Sequence, residues 1–434
     1  MPQPTMRYGI ALIAPLAVGV LSFFAAACDA GEPACVSFGA GGVVATACEL
    51  ATEAGVRVLE AGGGAVDAAV AVGFVLAVTF PEAGNLGGGG FMLVHGAGTG
   101  ATCIDFRETA PALASSDMYL DAGGRVIPQA SLRGHRSCGV PGTVAGLHLA
   151  HSLRGSMPWE DLVAPAEELA REGFPVGPHL RRSLARLSGH VSRWPGLGKF
   201  LRSDGEPYGE GNIFRQPLLA AVLERIAREG PDDFYRGATA RLITAEMERG
   251  GGLITARDLA SYRATPREPI RGSYRGLEIL SAPPPSSGGI VLMQILNIVE
   301  GFDLSSAGRD SDETVHRMIE AQKRAYADRA VHLGDPDFVT IPSERLLSKE
   351  YAASLRESIG SSATPAARLA APGYRAAEGE QTTHYSILDR WGTAVAATIT
   401  LNGAYGSYVV VADAGFLMNN EMDDFSIKPG VPNL

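Results

Sequence analysis

A threonine pair, Thr382-Thr383, stands where a pliable segment meets a β-prone run. Residues 361–380 before it are rich in Ala, Pro, Gly and Ser without periodicity, and residues 382–388 alternate as a strand does. A threonine hydroxyl becomes an effective nucleophile when its own α-amine serves as the base. That amine is freed only if the Gln381–Thr382 peptide bond is cut. By itself the pair is a weak signal, because threonine is common in strands.

A glycine-rich run, residues 84–90 (GNLGGGG), leads into the predicted strand at residues 91–94. A phosphate-binding loop needs Gly-Lys-Ser/Thr at the start of a helix, whereas this run enters a strand and contains no lysine. We interpret it as a tight turn in which only glycine permits a positive φ or a close backbone contact. We expect this loop to form a wall of a site.

Nine short segments occur in a fixed order along the chain. They are GGGAVDAAVAV (62–72), GNLGGGGFML (84–93), DFRETAP (105–111), GVPGTVAGL (139–147), GPDDFYRG (230–237), PPPSSGG (283–289), LGDPDF (333–338), QTTHYS (381–386) and NNEMDDFS (419–426). In these segments and in their order the chain resembles the bacterial γ-glutamyltranspeptidases, or glutathione hydrolases, from about residue 41 to its end.

The resemblance implies an N-terminal-nucleophile hydrolase of the α+β class, with a four-layer αββα sandwich. It implies a precursor that cuts itself at Gln381–Thr382 into a large chain, 29–381, and a small chain that starts with 382–434. Thr382 would attack γ-glutamyl amides such as glutathione and its conjugates, with its α-amine as base. The γ-glutamyl group would then pass to water, an amino acid or a dipeptide. The resemblance implies no metal and no organic cofactor.

The resemblance also assigns roles to single residues. Arg107 matches the guanidinium that holds the substrate α-carboxylate, and a planar fork suits such bidentate pairing. Asn402, Glu421 and Asp424 match the groups around the substrate α-ammonium, where acceptors and negative charge are needed. Thr400 matches the residue whose hydroxyl supports the nucleophile.

Each assignment has a plainer alternative. Arg107 could be a surface arginine paired with Glu108, Asp424 could belong to a solvated acidic turn, and Thr400 could be an ordinary strand residue. Glu421 stands where some bacterial relatives carry glutamine, and either side chain accepts a hydrogen bond. We interpret His384 as structural, since in this family the α-amine acts as the base.

The family's small chain continues beyond the point that matches Leu434. A Ser-Ser pair that helps to grip the carboxylate, the glycine pair of the oxyanion hole and part of the second sheet are expected there. We therefore expect the sequence to be a piece of a full-length enzyme, with an inactive truncated homologue as one alternative. A second alternative is an acylase of the cephalosporin acylase type. Arg107 and Asp424 argue against it, because an acyl group that is not an amino acid needs neither.

The elements that must position these residues follow from the pattern. We expect a strand at residues 42–46, a helix at 49–60, an apolar helix at 65–80 and mostly helical structure over 142–360. In the helix around residues 313–326, Val315, Met318, Ile319, Gln322 and Tyr326 should face inward, with Glu320 and Arg324 outward. Strands are expected at residues 393–401 and 407–411.

Composition and the N-terminus limit the setting. The chain has 37 Lys and Arg against 47 Asp and Glu, a formal charge of −10, which argues against a nucleic-acid partner. Residues 1–28 have a charged start, an apolar stretch and small residues before Cys28, as in a secretory signal. We expect export to the periplasm or the exterior, either as a free protein or anchored by lipid at Cys28. None of the five cysteines forms a Cys-x-x-Cys motif, and we expect no disulfide framework.

Overall fold

A computed structural model describes residues 41–369 and 382–433 of the chain. The predicted export signal, with Cys28, lies outside the described residues, as do Gln381 and most of the linker. Among the described residues, no helix combines the length and the apolarity needed to cross a lipid bilayer.

In the described parts of the chain, ten strands form one six-stranded sheet and two small two-stranded sheets. The six-stranded sheet is antiparallel throughout, in the order β1-β9-β10-β2-β3-β6, and the small sheets pair β4 with β5 and β7 with β8. The strands are β1 (Gly42–Ala45), β2 (Gly89–Gly96), β3 (Gly100–Asp105), β4 (Phe174–Pro175), β5 (Ile213–Phe214), β6 (Thr265–Arg267), β7 (Ile270–Tyr274), β8 (Leu277–Ser281), β9 (Thr382–Asp389) and β10 (Ala394–Thr400).

Fourteen α-helices accompany the strands in the described residues. They are α1 (Glu49–Glu60), α2 (Ala65–Thr79), α3 (Thr143–Arg154), α4 (Trp159–Glu172), α5 (Pro178–Ser188), α6 (Pro217–Glu229), α7 (Pro231–Tyr235), α8 (Ala238–Gly250), α9 (Ala256–Ser261), α10 (Gly288–Glu300), α11 (Leu304–Ala307), α12 (Asp312–His332), α13 (Ser343–Leu347) and α14 (Lys349–Glu357). Short 3₁₀ turns lie at His135–Ser137, Pro195–Phe200, Ala366–Arg368 and Glu421–Asp424. This mixture of helices and antiparallel strands confirms the predicted α+β class.

Helix α2 is the centre of the core. All fifteen of its residues are buried, as its apolar sequence predicts, and it lies between α4 and the strands β9 and β10. Asp67 is its one charged residue, and its carboxylate accepts hydrogen bonds from the backbone N–H groups of Gly64 and Ser156 at 2.9 and 2.8 Å. The buried charge is thereby satisfied, and the helix start is fixed beneath the sheet.

The two faces of the six-stranded sheet differ. Along β9, Thr383, Tyr385 and Ile387 are buried on the face covered by α2 and α3. The alternate residues of β9, beginning with Thr382 and His384, are exposed on the other face. Thr382 is thus presented away from the apolar core.

The glycine run is confirmed as a place of close backbone contact. The structure extends β2 back to Gly89, so the last two glycines of the run pair within the sheet rather than preceding it. A methyl group on Gly88 would overlap with the carbonyl oxygen of Thr400. Only glycine allows this approach of the loop to the end of β10.

The predicted orientation of α12 is wrong. Val315, Met318 and Ile319 are 47%, 42% and 46% exposed, whereas Glu320 and Arg324 are buried. Arg324 donates a 2.7 Å hydrogen bond to Glu320 and also binds Ser358 beside α14. The charged pair can be buried because each side chain satisfies the charge and hydrogen-bonding groups of the other. The periodicity of apolar residues carries no information about such a pair.

Two further expectations need correction. Residues 407–411 do not form a strand; Val410 makes only an isolated bridge to Leu417, where the chain turns back. The region expected to be mostly helical is largely so, but it also contains the β7–β8 hairpin. Its turn holds Arg275 and Gly276, both at positive φ.

Candidate functional site

Thr382, the first residue of β9, lies in a row of three aligned residues, one on each of three neighbouring strands. Thr382 pairs in register with Thr400 of β10, and Thr400 pairs with Gly89 of β2. Directly opposed residues of antiparallel strands point to the same face. The Thr382 hydroxyl accordingly donates a 3.3 Å hydrogen bond to Oγ1 of Thr400.

A turn after β10 holds the Thr400 hydroxyl in place. Asn402 has a φ of +70°, which asparagine tolerates, and its N–H donates to Oγ1 of Thr400 at 2.9 Å. The Asn402 side-chain amide donates to the carbonyl oxygen of Asn420 at 3.0 Å. The Asn420 side chain accepts in turn from the N–H of Gly403 at 2.8 Å. The turn is therefore tied to the segment that precedes Glu421.

Arg107 follows the end of β3 and is fixed through its backbone. Its N–H donates to the Asp105 carboxylate at 3.0 Å, and its carbonyl oxygen accepts from the Tyr262 hydroxyl at 2.9 Å. Its side chain is 25% exposed. The guanidinium is therefore held at the edge of the site and remains open to solvent on one side.

Three carboxylates surround this guanidinium. Nη2 of Arg107 forms ion pairs with Glu421 and Asp424, and Nη1 lies 3.9 Å from Oε2 of Glu108. The side chains of Glu108 and Glu421 are 1% and 4% exposed, whereas Asp424 is 36% exposed. Within the described residues, neither oxygen of the Glu108 carboxylate accepts a hydrogen bond.

Burial and charge act in opposite directions on these groups. Burial alone would lower the pKa of Arg107, but Glu421, Asp424 and Glu108 outweigh it and raise that pKa. Burial raises the pKa of Glu108 to about 7 and that of Glu421 well above its usual range, although Arg107 opposes both shifts. The site therefore has one permanent cation and more carboxyl groups than that cation can balance.

The structure brings together all the site residues proposed from the sequence, except that Gln381 lies outside the described residues. Contacts run from Thr382 through Thr400 and Asn402 to Asn420, whose neighbour Glu421 meets Arg107. Sequence reasoning missed Glu108 as a member, because nothing in the pattern shows that this glutamate is buried. It also missed Asn420, whose signal was the Asn-Asn pair before the acidic turn.

His384 lies next to this row without joining it. Its Nδ1 is 2.8 Å from the Thr398 hydroxyl and its Nε2 is 3.3 Å from the Ser386 hydroxyl. Partial burial lowers its pKa. No group of three or more metal-ligating side chains occurs in the parts of the chain that the structure covers.

Comparison with known proteins identifies the family. The family model for γ-glutamyltranspeptidase matches residues 51–434. The chain belongs to the γ-glutamyltranspeptidase family. The glutathione hydrolase proenzyme of Escherichia coli is 49% identical over 395 residues, which cover 91% of this chain and 68% of that protein. Membership of the family confirms the resemblance seen in the ordered segments.

Solved structures of the γ-glutamyltranspeptidase family share the fold. The Helicobacter pylori γ-glutamyltranspeptidase has a TM-score of 0.76 at 40% identity, covering 80% of this chain and 99% of that one. A cephalosporin acylase from Bacillus halodurans has a TM-score of 0.82 at 30% identity, covering 93% and 74%. The predicted N-terminal-nucleophile hydrolase fold is confirmed, and the acylases are related members of the same group.

Gly89 offers a test of the crowding in the candidate site. A Cβ at this position would overlap with the Glu108 carboxylate and would lie 2.5 Å from the carbonyl oxygen of Phe106. We expect Gly89→Ala to displace Glu108 and Arg107 and to lower kcat/KM for a γ-glutamyl anilide by roughly 10-fold to 100-fold. Gly189→Ala is the matched control, because no atom lies within 4 Å of its added methyl. Equal kinetics for the two variants would contradict the described packing.

Proposed function

We propose that this chain is a γ-glutamyl acyltransferase and glutathione hydrolase that uses Thr382 as its nucleophile after cleavage at Gln381–Thr382. The observation that carries the proposal is the continuous set of contacts from the Thr382 hydroxyl to the Arg107 guanidinium. A nucleophile and a recognition site for an amino-acid head group are thereby linked on one end of the sheet.

The charges around Arg107 suit a zwitterionic head group. The substrate α-carboxylate would bind the guanidinium, and the α-ammonium would bind Asn402, Glu421 and Asp424. In the structure these opposite charges pair with one another, since Glu421 and Asp424 contact Nη2 of Arg107. A γ-glutamyl compound would replace that pairing with one of its own, each of its charges meeting a group of opposite sign.

The chemistry then follows from the row that contains Thr382. The Thr382 oxygen attacks the γ-carbonyl carbon, and its proton passes to the free α-amine of the same residue. That proton goes to the departing amine as the C–N bond breaks, which leaves an ester. Water or an acceptor amine attacks the ester, releasing glutamate or a new γ-glutamyl amide and restoring the hydroxyl. The hydrogen bond between Thr382 and Thr400 orients the attacking oxygen.

The surroundings of this activity are part of the proposal. We propose that the precursor is exported, because residues 1–28 have the organisation of a secretory signal. The large and small chains of one precursor would remain together, and amino acids or dipeptides would serve as acceptors. Within this proposal, the exported protein is either free or anchored by a lipid attached to Cys28.

A pair of anilides tests the proposed function against the acylase alternative. Glutaryl anilide matches γ-glutamyl anilide in length and keeps the carboxylate that would meet Arg107, but it lacks the α-amino group. Because Glu421 and Asp424 would then have no ammonium partner in the substrate, we expect kcat/KM to favour the γ-glutamyl compound by about 100-fold. Equal or faster turnover of glutaryl anilide would favour the acylase function. Turnover of neither compound by the cut protein would favour an inactive relative.

Adjacent aspartates provide the matched variants for this test. Asp424→Asn removes a carboxylate that contacts Arg107 and is placed to meet the ammonium, so the preference should fall by about 10-fold. Asp423→Asn changes the same chemical group one residue earlier, where the side chain faces Ser131 and Arg133. The preference should persist in that variant, and its loss there would contradict the assignment to Asp424.

A further inference from the structure

Glu108 is a buried acidic residue of the candidate site, and the proposed function gives it no role. It follows Arg107 directly, its side chain is 1% exposed, and its Oε2 lies 3.9 Å from Nη1 of Arg107. A Cβ on Gly89 would overlap with this same oxygen, so the carboxyl group lies above Gly89, in the row that contains Thr400 and Thr382. The carboxyl group therefore lies beside the guanidinium, on the same face of the sheet as the nucleophile.

Within the described residues, no other side chain donates a hydrogen bond to this carboxyl group. Both of its oxygens are buried and neither accepts a hydrogen bond there. A buried carboxylate that accepts no hydrogen bond is costly, and such a group favours taking up a proton. A protonated carboxyl group has an O–H donor, and a substrate carboxylate that approaches Nη1 would supply the missing acceptor.

We propose that Glu108 acts in its protonated form and donates a hydrogen bond to the substrate α-carboxylate beside Nη1 of Arg107. The inference rests on the proposed function, because it assumes a ligand with an α-carboxylate at Arg107. The proton comes from solvent when the ligand binds and returns to solvent when the ligand leaves, and no covalent bond changes.

The neighbouring charges favour this protonated state. Burial raises the pKa of Glu108 to about 7, Arg107 and the residue's own backbone N–H lower it, and the negative charges of Asp424 and Asp105 raise it further. The incoming carboxylate adds another negative charge nearby, which raises this pKa again in the complex. The other titratable groups that face the carboxyl group are Glu421, Tyr235 and Tyr262.

Asp105, Glu421, Tyr235 and Tyr262 do not place an O–H donor beside Nη1 of Arg107. Burial raises the pKa values of Tyr235 and Tyr262, so both phenols stay neutral, and their hydroxyls already donate to the carbonyl oxygens of Pro141 and Arg107. Asp105 accepts a 2.7 Å hydrogen bond from Arg267. Glu421 contacts Nη2, on the side of the guanidinium where Asp424 also binds.

The experiment measures binding of L-glutamate to the processed protein between pH 6 and pH 8. Glutamate keeps its α-carboxylate and α-ammonium throughout this range. Because the protonated form of Glu108 binds, affinity should be full below about pH 7 and should fall about 10-fold between pH 6 and pH 8. Calorimetry in two buffers of different ionisation enthalpy should show net proton uptake above pH 7.

Glu108→Gln is the deciding variant, because glutamine is a permanent neutral donor of similar shape. Its glutamate affinity should change less than 2-fold across the same range and should exceed that of the unmodified protein at pH 8. Glu421→Gln should keep the pH dependence of glutamate binding, because Glu108 is still present. If Glu108 had only a structural role, Glu108→Gln would lower the affinity for glutamate by the same factor at each pH.

Each outcome bears on one of the two proposals. Glutamate binding by the unmodified protein without pH dependence or proton uptake would overturn the role of Glu108 and leave the proposed function intact. A pH dependence that Glu421→Gln abolishes and Glu108→Gln retains would also overturn it. Failure of glutamate to bind at pH 6 would overturn the proposed function, and this inference with it.

Discussion

Replacing Thr382 by alanine is expected to leave a single uncut chain with no measurable γ-glutamyl hydrolysis. The hydroxyl that contacts Thr400 is proposed both to cut the Gln381–Thr382 bond and to attack the substrate. Loss of a catalytic nucleophile lowers kcat by roughly 10⁴-fold or more. Denaturing electrophoresis checks the cut, N-terminal sequencing of the small chain from the unmodified protein checks its position, and an anilide assay checks turnover.

Two variants control for this result. Thr382→Ser keeps a hydroxyl and should still cut, although more slowly. Thr383→Val replaces the next threonine by a side chain of nearly the same shape. The Thr383 side chain is buried on the opposite face of the sheet. The Thr383→Val variant should cut at the same peptide bond as the unmodified protein. A cut that persists in Thr382→Ala, or a small chain that begins at another residue, would refute the proposed nucleophile.

The second large effect is expected at Arg107. Lysine keeps the charge but is a single point donor, whereas Nη1 and Nη2 of Arg107 face different carboxylates. We expect Arg107→Lys to raise KM for a γ-glutamyl anilide enough to lower kcat/KM by roughly 10²–10³-fold. Cleavage before Thr382 should be largely preserved, because it involves no substrate carboxylate.

A matched arginine separates this effect from loss of packing. Arg225 in α6 also pairs with a buried aspartate, donating to Asp233 at 3.2 Å. Arg225→Lys should lower the free energy of unfolding slightly and leave KM unchanged. An unchanged KM in Arg107→Lys would remove Arg107 from the binding site, whatever its effect on stability.

Elements with a strong periodic pattern were predictable. α2 is apolar on all sides and is buried on all sides, and β9 alternates in sequence and in exposure. Both patterns follow from burial alone, which is the main signal in a single sequence. The starts of β9 and β10 agree with the prediction to within one residue for the same reason.

Elements whose burial depends on pairing could not be predicted. The inward face of α12 carries Glu320 and Arg324, because the two charges satisfy each other there. Residues 407–411 are rich in valine, yet positive φ angles at Gly406 and Tyr408 bend the chain away from the sheet. Contacts between residues far apart in sequence decided both cases.

The site itself came mainly from the family resemblance. Arg107 and Glu421 are separated by more than three hundred positions, and no spacing rule places them in contact. The resemblance supplied the types and positions of the site residues. It did not supply the burial of Glu108 or the link from Asn402 to Asn420, which depend on the packed structure.

The position of β9 and β10 in the sheet bears on what a cut would do. Both strands follow Thr382 in the chain, yet they are inserted between β1 and β2, which precede it by hundreds of residues. After cleavage before Thr382, the two strands β9 and β10 of the small chain would be hydrogen-bonded on both sides to strands of the large chain. The two pieces could not dissociate without breaking two strand interfaces at once. The severed protein should therefore melt in a single transition, and reassembly from separated chains should be far slower than folding of the precursor.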